Sequence, residues 1–170
     1  MKNFEHIKYT YKHRKIVMLL AEKYFGDNQE LLEQVKVHDL DKMFMYLFYN
    51  KKDASNIHRD KTVHHENELE KTELDYIEMV LDWESARYTK PDKPLNAYDT
   101  LVNFYPGMTD VILPILEVMG IAESGLPMDQ DILEEAKKLD DVSEEDIVLE
   151  LVNSLELVTG VEVKKKVKKA

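Results

Sequence analysis

Two neighbouring polar residues, His38 and Asp39, lie in the middle of a largely apolar stretch, QVKVHDLDKMFMYLFY, that spans residues 34–49. If they are buried they need partners, because burying a polar group without a hydrogen bond or an ion is costly. Imidazole nitrogen and carboxylate oxygen both bind divalent metals, but a histidine and an aspartate can also satisfy each other in a core. All six histidines lie within residues 6–65, so this half of the chain is expected to carry the chemistry.

A second pair of polar residues lies in YIEMVLDWESAR, where residues 76–83 are apolar apart from Glu78 and Asp82. These carboxylates are spaced i, i+4 and share one face of a helix, where like charges repel. A protein buries such a pair only with positive charge beside it, because an unpaired buried carboxylate is costly. The sequence leaves two sources open: a divalent cation, or a salt-bridge network with Arg14, Lys42 or Arg87.

Four of the candidate metal ligands come from three separate predicted helices. His13 falls on the apolar stripe of the first helix, His38-Asp39 ends or interrupts the second, and Asp82 belongs to a later one. A lone histidine on such a stripe is also typical of an ordinary core residue. If the helices form a bundle, however, the four side chains converge and make a first shell for Fe, Mn, Zn, Co or Ni. The chain has no cysteine, so only nitrogen and oxygen ligands are available.

The segment HRDKTVHHENE places His58, His64 and His65 beside a predicted loop. These histidines are candidates for a second metal or for hydrogen bonds to a substrate, although such a polar segment is also typical of an exposed loop. Adjacent residues in a helix diverge by about 100°, so only one of His64 and His65 need reach the site, and the sequence does not decide which. Asp41 is expected to face away from it.

The order His … His-Asp … Asp on successive helices resembles the HD-domain superfamily of metal-dependent phosphohydrolases. The matching residues are His13, the doublet His38-Asp39 and Asp82, and HDLDK fits the form HD-x-x-K. The chain is more closely similar to short HD-like proteins that carry HD-x-x-K, a loop ending in His-His, and Glu-Met-x-x-Asp-Trp, here HDLDK, HRDKTVHH and EMVLDW. The resemblance covers residues 8–88 and gives the acidic C-terminal half no counterpart.

The resemblance implies an all-α, HD-domain-like helical bundle that holds one or two divalent transition-metal ions (Mn, Fe, Co, Ni or Zn) and hydrolyses a nucleotide or another small phosphate ester. In such a site a metal activates water and stabilises charge on the phosphate. Glu78 or Glu66 is the candidate general acid or base. The expected phosphate contacts are Lys42, which matches the HD-x-x-K lysine, Arg59, Lys61 and Arg87. The expected metal ligands are His13, His38, Asp39 and Asp82, joined by His64, His65 and His58.

Apolar residues recur at helical spacing along most of the chain, and glycine and proline are scarce, at five residues each. The pattern predicts an all-α fold. Predicted helices cover residues 4–25, a stretch starting after Asp27 and running into the HD segment, 68–87, 96–107, the segment MTDVILPILEVMG, 129–139 and 143–158. The predicted caps of three of them are Asp27 with Glu30, Asn96 with Asp99, and Ser143 with Asp146.

Three other segments carry weaker patterns. Residues 50–62, NKKDASNIHRDKT, are polar and are predicted to form a loop. The segment LVTGVEVKKKVKK, residues 157–169, has the β-branched composition of a late strand. An aromatic run is predicted to pack in the core; its members are Phe44, Tyr46, Phe48 and Tyr49.

The net charge of −11 is unevenly distributed. Residues 1–90 carry 15 basic and 17 acidic side chains, whereas residues 91–170 carry 8 and 17. This division indicates a metal-binding core over 1–90 and an acidic helical auxiliary region over 91–170, which ends in the basic cluster VKKKVKKA, either a solvated tail or an electrostatic tether. The charge disfavours binding to duplex nucleic acid, which requires a positive footprint.

No apolar run long enough for a transmembrane helix is present in the sequence, and the N-terminal residues lack a signal-peptide pattern. We therefore expect a cytoplasmic protein whose partner is a small phosphorylated substrate. HD-domain proteins often form dimers, so the resemblance also suggests a homodimer. Two other functions stay open: a non-catalytic module that binds a protein through the acidic C-terminal half, and a di-iron, oxygen-dependent enzyme with the same ligands.

Overall fold

The computed structural model of the chain describes residues 1–90, 92 and 95–159. Within these residues the fold is all-α, with no strand, which confirms the predicted fold class. Two short 3-10 turns interrupt the helical order, at Pro106–Met108 and Leu139–Asp141. The helices are α1 (Phe4–Phe25), α2 (Gln29–Val35), α3 (Leu40–Met45), α4 (Lys51–Lys61), α5 (Glu73–Thr89), α6 (Ala97–Phe104), α7 (Thr109–Met119), α8 (Gln130–Lys138), α9 (Glu144–Asn153) and α10 (Leu155–Thr159).

Capping chemistry explains where several helices begin. The predicted capping boxes at Asn96 and Ser143 are both present, with Asp99 and Asp146 as the reciprocal partners. The start of α2 differs from the prediction by one residue, because the Asn28 side chain accepts from the backbone N–H of Leu31. Short polar side chains at these positions satisfy N–H groups that have no partner inside the helix.

The start of α5 also differs from the predicted residue 68. Thr72 and Asp75 form a reciprocal capping box that fixes the first turn, so the helix begins at Glu73. Residues 66–71 before the cap are non-helical. The cap matters to the site because α5 carries both Glu78 and Asp82.

The prediction of a loop over residues 50–62 is wrong, because this segment forms α4. Asn50 caps the helix by accepting from the N–H of Asp53, and the helix continues to Lys61. It buries only Ala54 and His58, which are four residues apart and therefore lie on one face. A helix with so narrow a buried face has no apolar stripe for sequence analysis to detect.

Two apolar clusters form the core, and α1 passes through both. Ile16 and Leu20 belong to the larger cluster, which includes Val80 of α5, whereas Ile7 belongs to a smaller cluster with Met43 of α3. Between these parts of α1 lie three buried polar residues: Thr10, His13 and Arg14. The polar layer between the two clusters is where the candidate site lies.

The aromatic run after α3 is only partly in the core. Tyr46 is buried, and Phe44 packs against the smaller cluster. Phe48 and Tyr49, in contrast, are 74% and 47% exposed, so the prediction that they pack in the core is wrong. Both residues follow the end of α3, where the chain turns away toward α4.

The acidic C-terminal half packs against α1. Lys12 pairs with Asp140 at 2.7 Å, and Lys23 pairs with Asp129 at 2.6 Å. Glu150 of α9 accepts from Arg14 and Lys15, at 3.3 Å and 3.2 Å. The larger apolar cluster also includes residues on both sides of residue 90, so the described packing does not separate the two predicted regions.

The predicted late strand and the basic cluster lie mostly outside the described residues. The part of the strand segment that is described, residues 157–159, is helical and belongs to α10. Among the described residues, no single helix has the length and apolar composition to cross a membrane. One pair of segments, α6 and residues 106–119, reaches that length and composition together, but the two are bent by 111°.

Candidate metal centre

The site begins at the turn between α2 and α3. Asp39 adopts the left-handed backbone conformation there, with φ of 55°, which costs about 1–3 kcal/mol in a residue other than glycine. Arg14 of α1 holds the turn by donating from Nε to the His38 carbonyl at 2.9 Å and from Nη2 to the Lys36 carbonyl at 2.6 Å. This strained turn directs two adjacent polar side chains into the protein, where both are buried.

The four residues predicted from the His … His-Asp … Asp order come together, and we call them the first ligand group. His13 Nε2 lies 2.7 Å from Asp82 Oδ1, 3.1 Å from His38 Nε2 and 3.3 Å from Asp39 Oδ2. One ligand atom from each residue lies within 4.8 Å of the others. These nitrogen and oxygen atoms are spaced as the ligands of one metal ion.

A second ligand group shares Asp39 and adds three histidines, His58, His64 and His65. Asp39 Oδ1 lies 2.8 Å from His58 Nε2 and 3.1 Å from His64 Nε2. Both His64 and His65 belong to this group, although helix geometry required only one of them to reach the site. Residues 62–70 are not helical, so the 100° divergence does not apply, and the two ring centroids are only 4.4 Å apart.

Residues behind the rings fix which nitrogen faces the centre. Ser85 donates to the Asp82 carbonyl at 2.6 Å, so its oxygen accepts from His13 Nδ1 at 3.1 Å. His58 Nδ1 lies 2.7 Å from Asp41 Oδ2. Each ring is thus held through Nδ1 and turns Nε2 toward the centre, which is the usual arrangement of metal-binding histidines. The prediction that Asp41 faces away from the site is wrong.

Glu78 has the same orienting position for two rings. Its Oε2 lies 2.7 Å from His38 Nδ1 and 2.8 Å from His64 Nδ1, and its Oε1 accepts from Gln34 Nε2 at 2.8 Å. With both oxygens engaged, Glu78 is placed to orient these two rings, and the choice between Glu78 and Glu66 as general acid or base stays a prediction. The three residues His38, His64 and Glu78 also have the spacing of a cation site.

Four buried atoms of the second ligand group have no hydrogen-bond partner within the described part of the chain. They are Asp39 Oδ1, His58 Nε2, His64 Nε2 and His65 Nε2. His58 Nε2 and Asp39 Oδ1 are 2.8 Å apart, but their orientation is not that of a hydrogen bond. Unsatisfied buried polar atoms are rare in folded proteins and call for an explanation such as an ion. The residues present therefore fit a metal ion.

The carboxylates set the charge of the buried rings. Burial lowers the pKa of His38, but Asp39, Asp82 and Glu78 outweigh burial and hold this pKa well above its ordinary value. Burial also lowers the pKa of His64, as does the charge of His38, yet Asp39 and Glu78 raise it to about 9. Positive charge on these rings is therefore stabilised, as the charge of a cation would be.

The carboxylates are stabilised in return, and one histidine differs from the others. Burial raises the pKa of Asp39, but the neighbouring His38 and other rings hold it well below its ordinary value. Burial likewise raises the pKa of Asp82, but His13 and His38 overcome this effect and hold the pKa well below its ordinary value.

Burial lowers the pKa of His65 to about 3, with the charges of neighbouring histidines acting in the same direction, so this ring is neutral.

Two cavities reach the ligand groups. One, of about 230 Å³, is lined by His13, Asp82 and His65 together with Arg59 and Glu66. Lys90 also lines it, so the lining contains two cations, Arg59 and Lys90, and two carboxylates, Glu66 and Asp82; we call it the basic cavity after its two cations.

The other, of about 390 Å³, is lined by Asp39 and His64 together with Asp41, Glu78 and Lys61. The cavities therefore divide the predicted phosphate contacts, with Arg59 in the basic cavity and Lys61 in the more acidic one.

The remaining predicted phosphate contacts differ in their surroundings. Lys42 is half-buried on α3, and its charge acts on the Tyr9 hydroxyl. Burial raises the pKa of Tyr9, and Lys42 offsets only part of that rise. Arg87 instead donates to Glu84 at 3.4 Å and to the carbonyl of Leu126. Arg87 therefore ties α5 to the segment before α8 and lines neither of these two cavities, and its contact with phosphate stays a prediction.

Histidines pair with Glu78 and Asp82, in place of the arginine or lysine of the salt-bridge alternative. Within the described part of the chain the basic partners of these carboxylates are His13, His38 and His64, while Arg14 donates to the turn and to α9. Sequence analysis missed Asp41, Gln34, Ser85, Tyr9 and Lys90. Ser85 alone had a signal, because it follows Asp82 by three residues on the same helix face.

A comparison of this chain with protein-family models, curated proteins and solved structures finds no match in any of the three. Buried histidine and carboxylate groups that could hold a metal ion are present, and the resemblance of their motifs to HD domains stays an expectation.

Proposed function

We propose that the chain is a metal-dependent phosphohydrolase that acts on a small phosphate ester and binds two divalent transition-metal ions, one in each ligand group. The observation that carries this proposal is the sharing of Asp39. Its Oδ2 lies 3.3 Å from His13 of the first ligand group, and its Oδ1 lies 2.8 Å from His58 of the second and 3.6 Å from His38 of the first. The buried ring nitrogens of the second group have no other described partner. Metal ions held by the two ligand groups, with Asp39 as a common member, would give these atoms the partners that burial demands.

The ligand chemistry supports a transition metal. Five histidines and two aspartates supply nitrogen and oxygen, a set that suits Mn, Fe, Co, Ni and Zn. Ligating histidines usually donate their other N–H to a carboxylate or another acceptor. Asp41, Glu78 and Ser85 occupy those positions. The likeness of HDLDK and EMVLDW to HD-domain motifs points to the same chemistry.

The basic cavity supplies what phosphate hydrolysis needs from the protein. When bound, ions of this class activate water and offset the charge that develops on phosphate. Arg59 and Lys90 line the cavity and would bind phosphate oxygens. Glu66 lines it too, and is held by Trp83, whose Nε1–H donates to Oε1 at 2.7 Å. As general acid, Glu66 would protonate the alcohol oxygen when its bond to phosphorus breaks.

A di-iron, oxygen-dependent enzyme is the second candidate, because a carboxylate shared by two ligand groups also suits paired iron. The cations of the basic cavity favour hydrolysis, since an anionic substrate is what Arg59 and Lys90 would attract. Oxygen consumption by the iron-loaded protein in the absence of phosphate esters separates the two chemistries.

The C-terminal half offers less acidic surface to a protein partner than the sequence indicates, which weakens the binding-module alternative. Three carboxylates of the C-terminal half, Asp129, Asp140 and Glu150, already pair with basic residues of α1. A protein partner of this surface would have to compete with those pairs.

Metal content and activity test the main proposal together. The full chain is stripped with a chelator, reloaded with Zn²⁺ or Mn²⁺, and assayed for bound metal and for release of phosphate from simple esters. We expect up to two ions for each chain, both lost in Asp39→Asn because Asp39 belongs to both groups. His13→Gln and His58→Gln should each lose one ion.

His6→Gln is the matched control, because His6 lies on α1 outside the ligand groups and contacts the ring of Tyr46 instead. It should keep full metal content and activity. A wild-type protein that binds no metal, or an Asp39→Asn variant that still binds two ions, would refute the proposal.

A further inference from the structure

We propose that the basic cavity is a subsite for a flat, apolar alcohol group, so that the substrate is an aryl phosphate monoester or a close analogue of one. This inference rests on the proposed function and adds the substrate class. It comes from the lining residues of the cavity that the metal chemistry does not use, which include aromatic side chains.

The lining residues that belong to the ligand groups, which we call the floor of the cavity, indicate where a phosphate would lie. His13 and Asp82 belong to the first ligand group and His65 to the second, and all three line this cavity. A phosphate on this floor is therefore next to both groups. Arg59 and Lys90 line the same cavity and provide positive charge for its oxygens.

Three large aromatic side chains also line the cavity, and we call them the aromatic wall: Trp83, Phe104 and Tyr105. The rings of Trp83 and Tyr105 stack at 5.2 Å between centroids and 9° between planes. Trp83 is fixed further by its hydrogen bond to Glu66. Phe104 is 63% exposed although it lies on a core-packed helix, so it offers apolar surface to a ligand at low cost.

Cavity size argues for a small ligand. The volume of about 230 Å³ lies below the roughly 300–1,000 Å³ of pockets that hold drug-sized molecules. A monophosphate with one ring fits this description better than a nucleotide. The larger cavity is a poorer site for an anion, because four carboxylates line it against only Lys61 and His64 as basic residues in the described part of the chain; the four are Asp39, Asp41, Asp75 and Glu78.

Ligand binding can be followed without turnover, because Trp83 is the only tryptophan and lies in the wall. The zinc-loaded full chain is titrated with phenyl phosphate and with glycerol phosphate while tryptophan emission is recorded, and calorimetry repeats both titrations. We expect phenyl phosphate to bind about tenfold more tightly, which corresponds to about 1.4 kcal/mol, and to change the emission.

Two exposed phenylalanines provide a matched pair of variants. Phe104→Ser should lose about threefold in affinity for phenyl phosphate and nothing for glycerol phosphate, whereas Phe48→Ser, at a residue that is 74% exposed, should match wild type for both. Lys90→Ala should weaken both esters by the same factor, because it removes a phosphate contact. Lys52→Ala, an exposed lysine near the start of α4, is the control for lost charge.

Equal affinities for the two esters, or identical behaviour of Phe104→Ser and Phe48→Ser, would overturn the subsite. Hydrolysis of both esters is measured in parallel, so that the two proposals fail separately. Phenyl phosphate that binds preferentially but is never cleaved refutes the phosphohydrolase and leaves the subsite. Cleavage of both esters with equal affinity and equal kcat/KM refutes the subsite and leaves the phosphohydrolase.

Discussion

Asp41 orients the ring of His58, a candidate metal ligand, from outside the ligand groups. Its Oδ2 accepts from His58 Nδ1 at 2.7 Å, which leaves His58 Nε2 free to face Asp39. Because partners of this kind fix the ring and raise its basicity, their loss typically lowers metal affinity about 10–100-fold. We expect Asp41→Ala to lower metal affinity by about 10–100-fold, measured by competition with a chelator of known affinity.

The control is Asp60→Ala, which removes an exposed aspartate of α4 and should leave metal affinity unchanged. If Asp41→Ala binds both ions as tightly as Asp60→Ala does, then His58 is not a ligand that Asp41 positions.

Residue spacing predicted the first ligand group but not the whole site. His13, His38, Asp39 and Asp82 could be chosen because each interrupts an apolar stripe, and the structure brings them together. Asp41 could not, because its expected direction rested on its position two residues after Asp39, where the backbone is left-handed. A single positive φ of this kind reverses the direction of the side chains that follow, and nothing in the residue types announces it.

The cap of α5 links an exposed threonine to the stability of the element that carries Glu78 and Asp82. The Thr72 hydroxyl accepts from the N–H of Asp75, whose carboxylate accepts from the N–H of Thr72. Replacing such a cap by alanine typically lowers stability by about 0.5–2 kcal/mol. We expect Thr72→Ala to lower the free energy of unfolding by about 1 kcal/mol, measured by urea denaturation.

Thr72→Ser keeps the hydroxyl and should unfold at nearly the wild-type urea concentration. Metal content should be unchanged in both variants, because the cap lies outside the ligand groups. A Thr72→Ala protein as stable as Thr72→Ser would show that the cap contributes nothing to α5.

Elements with an apolar stripe or a polar cap were predictable, and α4 shows why others were not. The stripes of α1 and α5 are visible because each helix buries many residues along its length. α4 buries only an alanine and a histidine, so its sequence has the composition of a loop. The burial of His58 depends on the ligand group it joins, which is a tertiary contact that local periodicity does not contain.

The whole molecule stabilises the site by surrounding a polar layer with two apolar clusters. Arg14 connects this layer to α9, since the residue that holds the turn at His38 also donates to Glu150. The acidic C-terminal half is thus part of the packing around the site, which sequence composition alone presented as a separate region. Charge counts describe segments, whereas the pairing of Asp129, Asp140 and Glu150 with α1 depends on how the segments pack.

Buried histidines make the stability of the chelator-treated protein depend on pH in both directions. The pKa of His64 is raised to about 9, whereas an unfolded histidine titrates near about 6.5. The folded state therefore holds a proton that the unfolded state loses, and stability falls as pH rises from about 6.5 to about 9. The pKa of His65 is lowered to about 3, so the opposite sign applies, and stability falls as pH drops below about 6.5.

We therefore expect the free energy of unfolding of the chelator-treated protein to be greatest near about pH 6.5. Above that pH it should fall by about 1.4 kcal/mol for each pH unit and each proton released, and His38 adds to the loss because its pKa is also raised. Urea denaturation between about pH 5 and pH 9 measures the profile. His64→Gln should flatten the alkaline side and His6→Gln should not, because His6 lies outside the ligand groups. A wild-type profile that is level or rising above about pH 6.5 would mean that the buried rings hold no extra proton, and that the carboxylates around Asp39 are balanced in some other way.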